Sequence, residues 1–198
     1  MPTRKETSLE SWSQTKKQCN PNYDKLPAVI LVVALIVIGG CSLTSGNNRG
    51  GNEDTNDWRN VELKDIKTGV PFKISDFKGK TILLQSFAVW CPTCKSQQDE
   101  LDKLKNDVGD DIEIVSIDTD PNEDKKRVIG HIDRFEYDWL FSIDQNKFAE
   151  KLVDEFGINV VNAPSSPVIL IDKDQNSRLL RSGLKREDRL KEEIDKGA

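Results

Sequence analysis

The sequence predicts an α/β domain in which a mixed central sheet is flanked by helices and preceded by a β-hairpin extension. Three observations predict it. Apolar runs of strand length alternate with stretches of helical periodicity. One near-continuous apolar run, TILLQSF, follows the turn FKGK and reads as a strand buried on both faces. Directly behind it, in FAVWCPTCKSQQDEL, two cysteines open an amphipathic helix.

The elements follow in chain order. The 198 residues are 32% charged and 36% hydrophobic, a composition suited to a water-exposed domain everywhere but one place. Residues 26–38, LPAVILVVALIVI, form an uncharged apolar run of thirteen. Ahead of it stand Arg4, Lys5, Lys16, Lys17 and Lys25 against Glu6, Glu10 and Asp24. A basic start, a short apolar core and then small residues is the plan of an export signal. Thirteen residues fall short of the roughly 20 that span a bilayer as a helix. The alternative is an uncleaved anchor extended to Leu43. The small residues favour cleavage: VIGGCS places Ile38, Gly39 and Gly40 before Cys41 and resembles a lipoprotein lipobox, which implies lipid on Cys41 at a new N-terminus. The n-region is long for such a signal. In either case the rest of the chain is expected outside a cell membrane, lipid-anchored or signal-anchored.

Residues 42–57, SLTSGNNRGGNEDTND, hold three glycines and four asparagines and no aromatic residue. Such a segment cannot bury enough apolar surface to order itself, and as a tether it would span about 22 Å root-mean-square. The folded domain is expected over 58–198, without internal repeats. Its start, VELKDIKTGVPFKISDF, reads as a hairpin rim. After the strand at Thr81–Phe87, Leu101, Leu104 and Val108 recur at helical spacing up to Gly109. IEIVSID is a second strand. Val128, Ile129, Ile132 and Phe135 mark a helix, and Phe148, Ala149, Leu152, Val153 and Phe156 another, closed by Gly157. VILID at 168–172 is a third core strand, turned by KDQN into a partner near 178–182. Leu190 and Ile194 give a last helix one apolar stripe. Strands separated by helices predict a largely parallel sheet covered on both faces. The net charge of −5 and the lack of a basic run argue against nucleic-acid binding.

The four cysteines are Cys19, Cys41, Cys91 and Cys94. Only the last two fall in the expected exported domain, where a disulfide is permitted. A bridge across two residues closes a very short loop, so it stabilises little as a staple. Zinc needs about four ligands, and the chain offers two thiols and His131, which lies in a helical pattern and reads as an ordinary surface or half-buried residue. The redox reading has a mechanism. Cys91 ends a strand and opens a helix, where free N–H groups and the helix dipole favour its thiolate. Pro92 fits the first helical turn, and Cys94, one turn on, can attack a mixed disulfide and resolve it. A redox-active disulfide between Cys91 and Cys94 is therefore expected, with no metal and no cofactor.

A strand, WCPTC, a helix, a strand and a later proline before VILID resemble the thioredoxin superfamily. Over residues 58–198 the chain resembles its membrane-tethered oxidoreductases of the TlpA/ResA type, including those that serve cytochrome c maturation. ISDFKGK and the extra helix after SIDTDPNED fit that subgroup. The resemblance implies that Trp90 flanks the site, Cys91 attacks and Cys94 resolves. It also implies a cis-proline loop facing the disulfide and binding substrate backbone. Of Pro164 and Pro167, the second stands directly before the strand, so Ser166 and Pro167 are the expected substrate-binding pair. The implied activity is thiol–disulfide exchange on disulfide-containing exported proteins, recharged by an unidentified thiol electron donor. Two acids of the family pattern are absent: Gln85 stands six residues before Cys91 and Gln97 three after Cys94, so no general base is assigned. An alternative is a copper-binding assembly chaperone, which usually spaces its cysteines by three and adds a distant histidine. A peroxidase of the peroxiredoxin type would carry Pro and Thr seven and three residues before its nucleophile. Those places hold Leu84 and Ala88 before Cys91, and Phe87 and Cys91 before Cys94.

Overall fold

A computed structural model describes residues 57–198. The expected export segment, Cys41 and the tether up to residue 56 lie outside the described residues. No helix among the described residues is long and apolar enough to cross a membrane.

The central sheet has five strands in the order β5-β4-β3-β6-β7. β3 (Thr81–Phe87) is the fully buried apolar run. It pairs in parallel with β4 (Ile112–Asp118), Thr81 opposite Ile112 and Phe87 opposite Asp118. β5 (Leu140–Ile143) adds a parallel edge to β4. On the other side β6 (Val168–Ile171) runs antiparallel to β3, and β7 (Ser177–Leu179) antiparallel to β6. The sheet is thus mixed, as expected, with β6 alone running against the other four strands. The β6–β7 pairing follows from the tight turn between them: Asp172 Oδ1 accepts the N–H groups of Asp174 and Asn176, each at 2.9 Å, and reverses the chain at once. The seventh strand pairs at Ser177–Leu179, earlier than the 178–182 expected. β5 was not anticipated, although Tyr137, Trp139 and Phe141 alternate with the period of a strand and are all buried.

That alternation sorts side chains between two cores. Leu83 and Phe87 of β3, Ile114 of β4 and Leu170 of β6 face one layer; Ile82, Leu84, Val115 and Ile169 face the other. The first layer is covered by α1 (Pro92–Val108), α2 (Lys125–Phe135) and α4 (Glu187–Lys196), the second by α3 (Phe148–Phe156) and the N-terminal segment. α1 buries Cys94, Gln97, Gln98, Leu101 and Leu104, the i, i+3, i+4, i+7 stripe of an amphipathic helix. Leu101 and Leu104 are wholly enclosed, and each such side chain contributes roughly 1.5–3 kcal/mol of transfer free energy. Gly109 ends α1 at φ +62°, a conformation that costs a side-chain-bearing residue more.

The expected hairpin is present as β1 (Leu63–Lys64) and β2 (Pro71–Phe72). Asp65 closes its turn by accepting from Thr68 N at 2.8 Å and Thr68 Oγ1 at 2.6 Å. Ile66 N donates to Phe141 O at 2.7 Å, which ties the hairpin to the edge strand β5.

Candidate active site

The turn between β3 and α1 decides where the cysteines stand. β3 ends at Phe87, and Ala88, Val89 and Trp90 turn the chain, with Cys91 N donating to Ala88 O at 3.0 Å. Cys91 is the N-cap of α1 in an extended conformation, and its Sγ accepts from Cys94 N at 3.2 Å. A sulfur thereby fills the capping role that Ser or Asp oxygen usually takes, and one of the helix's orphan donors, Cys94 N–H, is satisfied by it. Pro92 occupies the first turn, where its missing N–H leaves no bond unmade.

Thr93, which the sequence did not single out, joins the site from above. Its Oγ1 donates to Pro164 O at 3.1 Å and lies 3.2 Å from Cys91 Sγ. A hydroxyl has one hydrogen, so with that hydrogen on Pro164 the Cys91 thiol is the donor to Oγ1. Cys94 Sγ donates to Ala163 O at 3.1 Å. Burial pushes the Cys94 thiol far up from its ordinary range, and its hydrogen bond with Cys91 adds to the shift. Both thiols are free and enclosed, Cys91 2% exposed and Cys94 1%.

The hydrogen bonds that reach the thiol turn from this loop come from the carbonyls of Ala163 and Pro164, upstream of Ser166 and Pro167. Ser166 stands at φ +48°, its N–H donates to Ala163 O at 2.8 Å, and its carbonyl accepts from Lys185 Nζ. Pro167 is buried directly before β6. Pro164 is exposed beside Thr93, in the short turn Ala163–Ser165. Trp90 does flank the site: it is 55% exposed, with Nε1 donating to Asp120 Oδ2 at 2.6 Å.

The two glutamines are framework. Gln85 Nε2 donates to Cys94 O at 3.2 Å and belongs to a buried chain in which Trp139 Nε1 donates to Ser116 Oγ. Gln97 forms two bonds with one residue, donating to Lys185 O at 2.9 Å and accepting from Lys185 N at 2.8 Å. Lys185 itself is buried without an ion-pair partner among the described residues, and burial lowers its pKa to about 8. His131 is buried rather than half-buried. Its Nε2 lies 2.7 Å from Gln98 Oε1, and its ring stacks on Phe87.

Asp118, at the end of β4, was also missed. It is 1% exposed, accepts from Asp120 N at 2.9 Å, and its Oδ2 has no hydrogen-bond partner. Burial, with the charges of Glu123 and Asp120 acting the same way, raises its pKa to about 7. Its charge in turn bears on Cys94. Position at the strand end beside the cysteine turn was the one signal available for it.

A helix-capping cysteine, a buried partner one turn inside and this mixed sheet define a class: the thiol–disulfide oxidoreductases of thioredoxin fold. Residues 53–190 match the Redoxin family, and the chain belongs to it. It is similar to the thioredoxin-like protein YneN of Bacillus subtilis, 28% identical over 148 residues that cover 73% of this chain and 81% of that one. Its fold is similar to that of a secreted Mycobacterium tuberculosis disulfide oxidoreductase described as homologous to E. coli DsbE. The TM-score is 0.57 and the identity 14%, over 70% of this chain and 97% of the other. A thiol:disulfide interchange protein of Chlorobium tepidum gives a TM-score of 0.58 at 17% identity, over 69% and 92%.

Proposed function

We propose that this chain reduces disulfides of exported proteins on the outer side of a cell membrane, with Cys91 as nucleophile and Cys94 as resolver. The observation that carries this reading is the asymmetry of the pair: Cys94 N–H caps the Cys91 sulfur, whereas burial keeps the proton on Cys94. The Cys91 thiolate attacks one sulfur of the client disulfide; that S–S bond breaks, and the released client thiolate takes a proton from solvent. Cys94 then loses its proton to Asp118, the buried carboxyl whose charge reaches it, and attacks Cys91 Sγ. The Cys91–Cys94 disulfide forms, the second client thiolate leaves and is protonated, and two electrons have passed to the client. An external dithiol restores the pair by the reverse exchange.

The test is metal-free reduction of insulin with dithiothreitol as electron source. Turnover should depend on Cys91 and stop in Cys91→Ser; full activity in that variant would reject the reading. The same assay separates it from copper-chaperone function, which requires no such turnover. The export signal and VIGGCS support a lipid-modified Cys41 as the tether. Intact mass of protein extracted from membranes decides this, since residues 1–40 still attached would mean an uncleaved anchor.

A further inference from the structure

An open groove of roughly 600 Å³ lies between the thiol turn and α2, lined by Trp90 and Cys91 on one element and by Phe135 on the other. Lys95, Arg127 and Arg134 line it, and no carboxylate does, in a chain whose net charge is −5. Two of the three cations have acidic neighbours behind the groove. Lys95 meets Asp99 at 2.7 Å, and Arg127 meets Glu123 at 3.1 Å. The second pair is lopsided: the Glu123 side chain is 1% exposed and that of Arg127 56%, so the guanidinium is the end that faces solvent. Arg134 lies 5.4 Å over the Phe135 ring and forms no ion pair among the described residues. The field inside the groove has a built-in reporter in His131. After burial, the charges of Lys95 and Arg134 are the main causes that hold its imidazole below the ordinary range, and Asp99 opposes them only in part.

Resting on the redox reading above, we propose that this groove is a specificity subsite that receives an acidic stretch of the client polypeptide flanking the disulfide under attack. The occupant follows from complementarity. A cleft lined by one sign of charge, with apolar walls, concentrates the opposite sign and orients it before the chemical step. Because Cys91 itself lines the groove, a client segment lying in it carries its half-cystine toward the nucleophile. Asp or Glu a few residues from that half-cystine would meet Arg127 and Arg134, and a bidentate guanidinium–carboxylate contact fixes register as well as charge. Phe135, which Lys95 Nζ overlies at 4.7 Å, offers an apolar surface between the cations.

The test uses two symmetric disulfide-linked peptides, identical except that Glu or Gln flanks the half-cystine, reduced in single turnover by the pre-reduced protein. Flanking Glu also slows the leaving thiol in any exchange reaction, so the quantity read is the Glu-to-Gln rate ratio of each protein, not either rate. In Arg134→Glu this ratio should fall on the order of tenfold below that of the unmodified chain, and in Arg134→Gln by less. Without any substitution, the ratio should also decline as salt rises from 0.05 to 0.5 M and the screening length shortens. A ratio that ignores both salt and charge reversal would overturn the subsite while leaving the redox reading intact. No reduction of either peptide by the unmodified chain would overturn the redox reading and the subsite together.

Discussion

Asp118→Asn should make the protein more stable at neutral pH, and by an amount that grows with pH. The carboxyl titrates near 7 in the folded chain against an ordinary value of 3.8, because burial penalises its charge. Below about pH 3.5 both the folded and unfolded states hold the proton, and the group contributes no pH dependence. As pH rises past the unfolded value, the unfolded chain ionises first, so stability is lost progressively and levels off above the folded value near 7. Roughly three units at 1.36 kcal/mol each set a ceiling of about 4 kcal/mol. Asparagine keeps the acceptor for Asp120 N and cannot ionise, so the pH-dependent penalty vanishes, while its amide N–H groups at the unpartnered Oδ2 position add a smaller cost that does not vary with pH. Urea denaturation of the reduced protein from pH 4 to 8 measures this. With a slope of about 1–3 kcal/mol per molar, the variant's midpoint should gain on the order of 1–2 M on the parent's between pH 4 and pH 7.5. Other acids raised by burial, such as Asp144, are common to both proteins and cancel in the difference. A variant uniformly less stable, or offset by a constant amount at every pH, would refute the argument. The same variant lacks the proposed proton acceptor, so it should resolve a mixed disulfide more slowly despite its greater stability.

Two further outcomes are expected. Alkylation near neutral pH should label Cys91 well before Cys94, whose thiol burial holds protonated; correspondingly Cys94→Ser should trap a mixed disulfide with a client and Cys91→Ser should not. Faster labelling of Cys94, read by peptide mass, would reverse the roles. Gln97→Ala removes both bonds to the Lys185 backbone across 88 residues and should cost about 2–3 kcal/mol in thermal or urea unfolding, because it leaves a buried N–H and C=O unpaired. An effect below about 0.5 kcal/mol would show that water takes the amide's place.

What the sequence alone determined is what neighbouring residues encode. The boundaries of β3 and β4, the α1 stripe with its cysteine at the start and glycine at the end, and α3 closed by Gly157 follow from local periodicity and capping. The place of Cys91 is of the same kind, because a helix N-terminus is a property of the chain on either side of it. Tertiary structure decided everything that depends on which strands lie side by side. The sense of β6, the edge strand β5 and the place of Asp118 opposite Phe87 emerge only when the strands are set side by side. Gln85 and Gln97 looked like lost acids, yet each amide binds backbone, in one case 88 residues distant. The proline loop was the hardest of all. Local pattern favours Pro167, which stands directly before the strand, and cannot show that Thr93 Oγ1 and Cys94 Sγ hydrogen-bond to the carbonyls of Pro164 and Ala163, 71 and 69 residues further along the chain.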